Sequence, residues 1–298
     1  MDYTPINIEK VIDIESLITV HYFEYRSDFV FKGEHHDFWE FLYVDKGEVD
    51  VFNGTTWHVL KKGDIIFHAP GEFHSLRANG TIAPNLIVIS FICNSPAMEY
   101  FVHRKTSCTS YQAGILANLI HEARNTFTCS LDDPFITKMT VISPDYGSMQ
   151  LIKNYLEHFL LDQYRKNFIK KPEVYKPSSY HHEITDSEQL KKVITYLEEN
   201  ITKHPSVKEI CQDNFISYSR LKQLFKQYYH TTILEYHNSM RITYAKELLR
   251  STPLNISEIA DKLGYNSIHY FSRQFKKQTG MSPTEYSSSV MLKSELSK

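Results

Sequence analysis

A chain of 298 residues, 42% hydrophobic and 13% aromatic, is long enough for about two domains with real cores. The net charge of −2 makes no case for a charged partner by itself, but from Thr185 onward 16 Lys and Arg stand against 12 Asp and Glu, while before it 17 stand against 23. A basic end on an acidic body fits a nucleic-acid-binding module joined to something else, and Cys93, Cys108, Cys129 and Cys211, which show no paired spacing, argue against a disulfide framework or zinc knuckle and fit a reducing cytosol.

The first ten residues, MDYTPINIEK, lack a cationic start followed by an apolar core, so no signal peptide is expected. No apolar run reaches the ~20 residues that span a bilayer, and the expected location is the cytoplasm, with no membrane partner. From about residue 17 to 93 the chain reads as short β-branched and aromatic runs: 18–25, 38–44, 48–52, 57–60, 65–68 and 86–92. Turn signals separate them. Asn53-Gly54 predicts a type I′ hairpin, and Lys62-Gly63-Asp64 and Pro70-Gly71 mark further turns. Many strands at such spacing predict a small barrel or jelly roll. Within them, HHDFWEFLYVDKG at 35–47 and GDIIFHAPGEFH at 63–74 resemble the two motifs of the cupin barrel. Metal-dependent cupins use two His of an H-x-H, a Glu, and a His from the second motif. His36, Glu40 and His74 fall on matching positions, and Glu34 occupies the place of the first histidine. Three N/O ligands plus water can hold a divalent ion; the alternative is that these side chains make ordinary hydrogen bonds in a barrel mouth. No cofactor is expected.

From about 111 to 168 the period becomes helical. Ile115-Leu116, Leu119-Ile120 and Ala123 form one stripe; Leu151-Ile152, Tyr155-Leu156 and Phe159-Leu160 form another, on a helix opened near Ser148. Periodicity alone leaves open whether they pack on the barrel, on each other, or on a second copy. KKPEVYKPSSYHH, at 170–182, reads as a linker because its prolines disfavour helix. A capping box, Thr185-x-x-Glu188, then predicts the opening of a helix with Val193, Ile194 and Leu197 on its apolar side.

The remainder says one thing twice. VKEICQDNFISYSRLKQLFKQYYHTTILEY, at 207–236, matches ISEIADKLGYNSIHYFSRQFKKQTGMSPTEY, at 256–286: Ser217 with Ser267, Leu221 with Phe271, Phe225-Lys226 with Phe275-Lys276, and Glu235-Tyr236 with Glu285-Tyr286. Upstream of the serines the match runs one residue out of step, Glu209-Ile210 against Glu258-Ile259. Each copy holds a short apolar-periodic segment, a turn, and a longer amphipathic helix capped by its serine, which is a helix-turn-helix. Gly264 suits a left-handed C-cap, and Asn214 stands near its place in the first copy. Residues 240–249 (MRITYAKELL) predict a connecting helix, ending before Pro253, that holds the two units at a fixed distance.

The R-x-x-x-A-K-x-L-L connector, the ISEIADKLGY segment and the F-x-x-x-F-K-K-x-x-G-M-S-P-T-E-Y ending closely resemble the AraC family of transcription regulators. That resemblance covers roughly the last third of the chain, and family members often carry a cupin-like barrel as N-terminal sensor. It implies an α+β protein: a cupin-like effector-binding and dimerisation domain at 1–170, a linker at 171–184, and an all-α DNA-binding domain with two helix-turn-helix units at 185–298. It also implies a homodimer on double-stranded promoter DNA, controlled by a small molecule, in many relatives a sugar. The recognition helices are then those after Ser217 and Ser267. Tyr218, Ser219, Lys222 and Gln223 in the first, and His269, Ser272 and Arg273 in the second, would meet base edges or nearby backbone, with Lys226, Lys276 and Lys277 on phosphate. His36, Trp39, Glu40, Tyr43 and His74 are the expected lining of an effector pocket. The competing readings are a metal-dependent cupin enzyme with a helical tail and a protein-docking module that reads no DNA.

Overall fold

The computed structural model describes residues 3–166, 168 and 180–296. Two compact units divide the chain, residues 1–171 with 290–298 and residues 172–289.

In the first unit nine strands are described: β1 (Ser16–Glu24), β2 (Val30–Glu34), β3 (Trp39–Lys46), β4 (Glu48–Phe52), β5 (Trp57–Lys61), β6 (Asp64–His68), β7 (His74–Arg77), β8 (Asn85–Ile92) and β9 (Lys105–Ser107). They form two antiparallel sheets, ordered β1-β8-β3-β6-β9 and β2-β7-β4-β5. The sheets meet in an apolar core that includes Phe29, Val44, Val49 and Leu60, each fully buried. The turn after β4 differs from the expected two-residue form. Phe52 pairs with Trp57, and the Asn53 side chain accepts from the amides of Thr55 and Thr56 at 3.3 and 3.0 Å. The asparagine thus stabilises a four-residue loop with its own carbonyl, the alternative that Asx side chains offer a backbone.

Helices α1 (Ser110–Thr126) and α2 (Ser148–Arg165) follow. Thr109 and Gln112 form a capping box that starts α1. The two apolar stripes turn inward onto the outer face of the five-stranded sheet: Leu116, Leu119, Leu156 and Phe159 are fully buried with Phe41 and Phe67, and the Phe41 and Phe159 rings lie 5.4 Å apart. The main stripes are therefore intramolecular core. Leu151 and Tyr111 remain exposed at their edges. Burial of sheet β1-β8-β3-β6-β9 on both faces explains why β3 reads as the unbroken run WEFLYV, with all six residues buried.

The second unit is helical. α3 (Tyr180–Glu199) already runs through Thr185, so that residue does not open it, and Tyr180, His181 and His182 belong to the helix rather than to the expected linker. Pro177 is the last proline before this point, and nothing after it forbids a helix. The remainder of that linker, 171–179, lies outside the described residues. Then come α4 (Val207–Asp213), α5 (Tyr218–Tyr229), α6 (Ile233–Ser251), α7 (Ile256–Lys262), α8 (Ile268–Thr279) and α9 (Pro283–Leu296), whose residues from 290 on fall outside this unit. Ser217 and Ser267 cap as their sequence pattern predicts, and Ser206 forms a capping box with Glu209 at the start of α4.

The turns of the two helix-turn-helix units are closer copies than the residues suggest. After α7 the amides of Leu263, Gly264 and Tyr265 donate to the carbonyls of Ile259, Asp261 and Ala260; after α4 those of Asn214, Phe215 and Ile216 donate to Ile210, Gln212 and Cys211. The left-handed residue of the first turn is Phe215 (φ 50), in the place of Gly264 (φ 68). Asn214, expected near that role, is an ordinary C-cap at φ −102. No described helix is long and apolar enough to cross a membrane.

Candidate sensor cavity and nucleic-acid interface

Between the two sheets of the first unit lies a cavity of about 500 Å³. Residues paired across antiparallel strands share a face, and the pairing lines up one polar row across the sheet floor. Thr19 pairs with Ser90, Ser90 with Glu40, and Glu40 with His68. Thr19 Oγ1 donates to Ser90 Oγ at 3.0 Å, and Ser90 Oγ donates to Glu40 at 2.7 Å. From the facing sheet, His74 on β7 pairs with Glu34 on β2. His36, on the loop that follows, completes the cluster, with Nε2 3.7 Å from Glu40. Apolar walls, among them Phe23, Phe31, Leu42 and Val88, enclose these groups.

The electrostatics are those of a buried acid among imidazoles. Burial pushes the Glu40 carboxyl up, but the adjacent His36 and His74 outweigh it and hold the group well below the usual carboxylate range. Burial lowers His74, and Glu40 3.2 Å away more than reverses this, so the ring is raised. Glu34 is raised by burial and by the Glu40 charge. Burial keeps His68 low despite its 2.9 Å contact with Glu72. Both His36 and His74 aim Nδ1 at a backbone carbonyl, Phe38 O at 3.0 Å and Glu72 O at 3.2 Å.

Of the expected lining, His36, Glu40 and His74 meet in this cavity. Trp39 and Tyr43 do not. Alternation along β3 sends them to the opposite face, where they are buried in the core beneath α1 and α2. The cavity also takes His21, Tyr25, His68 and Ser90, which motif reasoning passed over, together with Pro134 to Thr137 of the loop between the helices. Strand parity was the signal available for His68, since it shares a face with Glu40 on the neighbouring strand.

The helix-turn-helix units present the second site. In α5, Leu221, Leu224 and Phe225 are fully buried, and Tyr218, Ser219, Lys222, Gln223 and Lys226 are exposed. In α8, Phe271 and Phe275 are fully buried, His269, Arg273, Lys276 and Lys277 are exposed, and Ser272 is half-buried. All ten expected residues therefore lie on the outer sides of the two helices or at their edges. Some are already engaged: Gln223 accepts from Arg220 Nη1 at 3.3 Å, the Arg273 guanidinium lies 5.5 Å from the Tyr270 ring, and Lys276 is 4.0 Å from Glu285. The connecting helix α6 has 19 residues and spans about 28 Å at 1.5 Å per residue.

The family model for the AraC-like ligand binding domain matches residues 18–84, and that for a helix-turn-helix domain matches 210–289. The chain thus carries an AraC-like ligand binding domain and a helix-turn-helix domain. Among curated proteins, the chain is 33% identical to the HTH-type transcriptional activator RhaR of Yersinia pseudotuberculosis over 105 residues, 35% of the chain and 36% of the relative. It is 30% identical to RhaR of Mannheimia succiniciproducens over 109 residues, 37% of the chain and 40% of the relative. These alignments span little more than a third of the relatives' length. Among solved structures, an AraC-type regulator from Chromobacterium violaceum aligns at 26% identity over 36% of this chain and 96% of that one, with a TM-score of 0.35. ToxT from Vibrio cholerae O395 aligns at 16% identity over 94% of this chain and 98% of that one, with a TM-score of 0.34.

Proposed function

We propose that the protein is a sequence-specific, DNA-binding transcription regulator controlled by a small molecule in the N-terminal barrel. The observation that carries this reading is the pair of helix-turn-helix units with the same turn hydrogen bonds, each exposing a polar and cationic helix face, joined by one 19-residue helix. Successive major-groove faces of a duplex lie about 34 Å apart, a spacing that a connector of roughly 28 Å plus the width of its two flanking helices can meet. The family's two domain types in one chain supply the other half: a ligand-binding barrel beside a DNA reader. Arg273 suits a bidentate contact to guanine and Gln223 one to adenine, while Lys226, Lys276 and Lys277 suit phosphate.

The effector belongs in the 500 Å³ cavity, whose polar floor and aromatic walls favour a hydroxylated molecule such as a sugar. A homodimer is the proposed assembly, through the outer edges of α1 and α2 where Tyr111 and Leu151 stay exposed; the cytoplasm is the proposed location.

Footprinting on the DNA flanking its own gene, across a salt series, is the test. Two protected patches about one helical turn apart are expected, weakening steeply with salt. Arg273→Ala is expected to relax specificity in one half of the protected site and cost about 1–3 kcal/mol, and Lys277→Ala to weaken all sequences alike. No protection at low salt would overturn the reading, and equal binding of every site by Arg273→Ala and the parent would overturn that assignment.

A further inference from the structure

We propose that the barrel binds one divalent first-row transition-metal ion on His36 Nε2, His74 Nε2, Glu40 and Glu34, with Glu34 as the ligand that replaces a histidine. The four side chains bring their donor atoms within 4.8 Å of one another. His74 Nε2 stands 3.2 Å from Glu40 and 3.8 Å from Glu34, and His36 Nε2 stands 3.7 Å from Glu40. Four ligands bound at 2.0–2.2 Å in a tetrahedron lie about 3.3–3.6 Å apart, and the separations of 3.2, 3.7 and 3.8 Å fall close to that range.

The hydrogen bonding gives an independent reason. A carbonyl only accepts, so Phe38 O and Glu72 O hold the ring protons of His36 and His74 on Nδ1. That leaves the two Nε2 atoms facing the cluster, and both are buried without a hydrogen-bond partner. Anchoring the far nitrogen on a carbonyl is how metal-ligating histidines are oriented. His74 is only 3% exposed, so no solvent satisfies the nitrogen. A divalent cation would satisfy both rings and neutralise two carboxylates that otherwise repel.

The backbone explains how Glu34 reaches the site. β2 shifts register between Phe31 and Glu34, and Glu34 then pairs directly with His74. Gly33 (φ 112) makes this approach possible, because a Cβ there would lie 2.6 Å from the carbonyl oxygen of His74. Two imidazoles and two carboxylates, without a thiolate, favour zinc, iron, manganese or nickel over copper(I). Resting on the effector reading above, the ion would face the cavity, and an effector with an oxygen donor would add a fifth ligand to the four protein donors.

The test uses the full chain, stripped with a chelator and titrated with Co²⁺ in the absence of DNA and effector. Ligand-field absorption saturating at one equivalent and displaced by Zn²⁺ is expected. His74→Gln should abolish it, Glu34→Gln should weaken Co²⁺ roughly tenfold or more, and Glu34→His should retain one-equivalent binding. Circular dichroism checks folding; if His74→Gln is unfolded, the half-exposed Glu34 position decides alone. Absence of saturable Co²⁺ binding would overturn the proposal, and so would unchanged affinity in folded Glu34→Gln. Footprinting reads the DNA function separately, so failure of either reading leaves the other standing.

Discussion

Phe215 and Gly264 occupy the same step of two turns with the same hydrogen bonds, yet their surroundings make opposite demands. A Cβ on Gly264 would lie 2.6 Å from the carbonyl oxygen of Thr202, and φ is positive there. Gly264→Ala is therefore expected to destabilise the helical unit by about 1–3 kcal/mol, through backbone strain plus a displaced neighbour. The Phe215 side chain is 97% exposed, so it gains no burial that offsets its left-handed backbone. Phe215→Gly is expected to be neutral or to stabilise by up to about 1 kcal/mol. Urea denaturation of both variants checks the pair. A large loss of stability in Phe215→Gly would mean that the ring is bound to something in the folded protein, and a mild Gly264→Ala would mean that the turn relaxes.

At the scale of elements, α6 does more than set a distance. Arg241, only 3% exposed, bonds His204 and the terminal carbonyl of α7 at Leu263, and lies 4.1 Å over the Tyr265 ring. The motif that identified the connector is thus also the clamp on the second reading unit. One turn earlier, His237 is buried, and burial with the nearby Arg241 and His204 charges lowers its pKa to about 4. The unfolded ring titrates near 6.5, so between about 6.5 and 4 the unfolded chain binds the extra proton. Stability from this group is complete above that window and falls as pH drops through it, by at most roughly 3 kcal/mol. Comparing urea midpoints at pH 7.5 and 5, His237→Gln should show a smaller drop than the parent; an equal drop would assign the acid sensitivity elsewhere. The elements legible in the sequence are those with one buried face. Apart from α3, which opens before its expected cap at Thr185, the amphipathic helices and the capping serines fall where the period and the caps put them. β3 hides its parity because both faces are buried, so motif position places Trp39 and Tyr43 beside Glu40 although they face the helices. β2 and β7 escape because they are short, one carries Gly33, and both are specified by the partner strand rather than by alternation. Glu34 is visible as a departure from a motif, but its pairing with His74 is a property of the folded register.

At the scale of the molecule, the charge distribution sets a quantity that can be measured before the operator or effector is known. The faces assigned to DNA carry Lys222, Lys226, Arg273, Lys276 and Lys277, all exposed. Each cation that replaces condensed counterions on duplex DNA contributes about −0.9 to the slope of log K against log salt. One chain engaging phosphate through Lys226, Lys276 and Lys277 should therefore give a slope of about −3, and a homodimer engaging two half-sites about −5. Lys277→Ala should make the slope shallower by about one per bound chain, so parent and variant together report the number of chains on the DNA. The effector enters the same measurement. It can change occupancy only by favouring one of two arrangements of the protein over the other, and an effector that releases one half-site would halve the slope while leaving the remaining contacts intact. A slope that stays constant while affinity changes would mean that the barrel alters how strongly the contacts are held, and not how many are made.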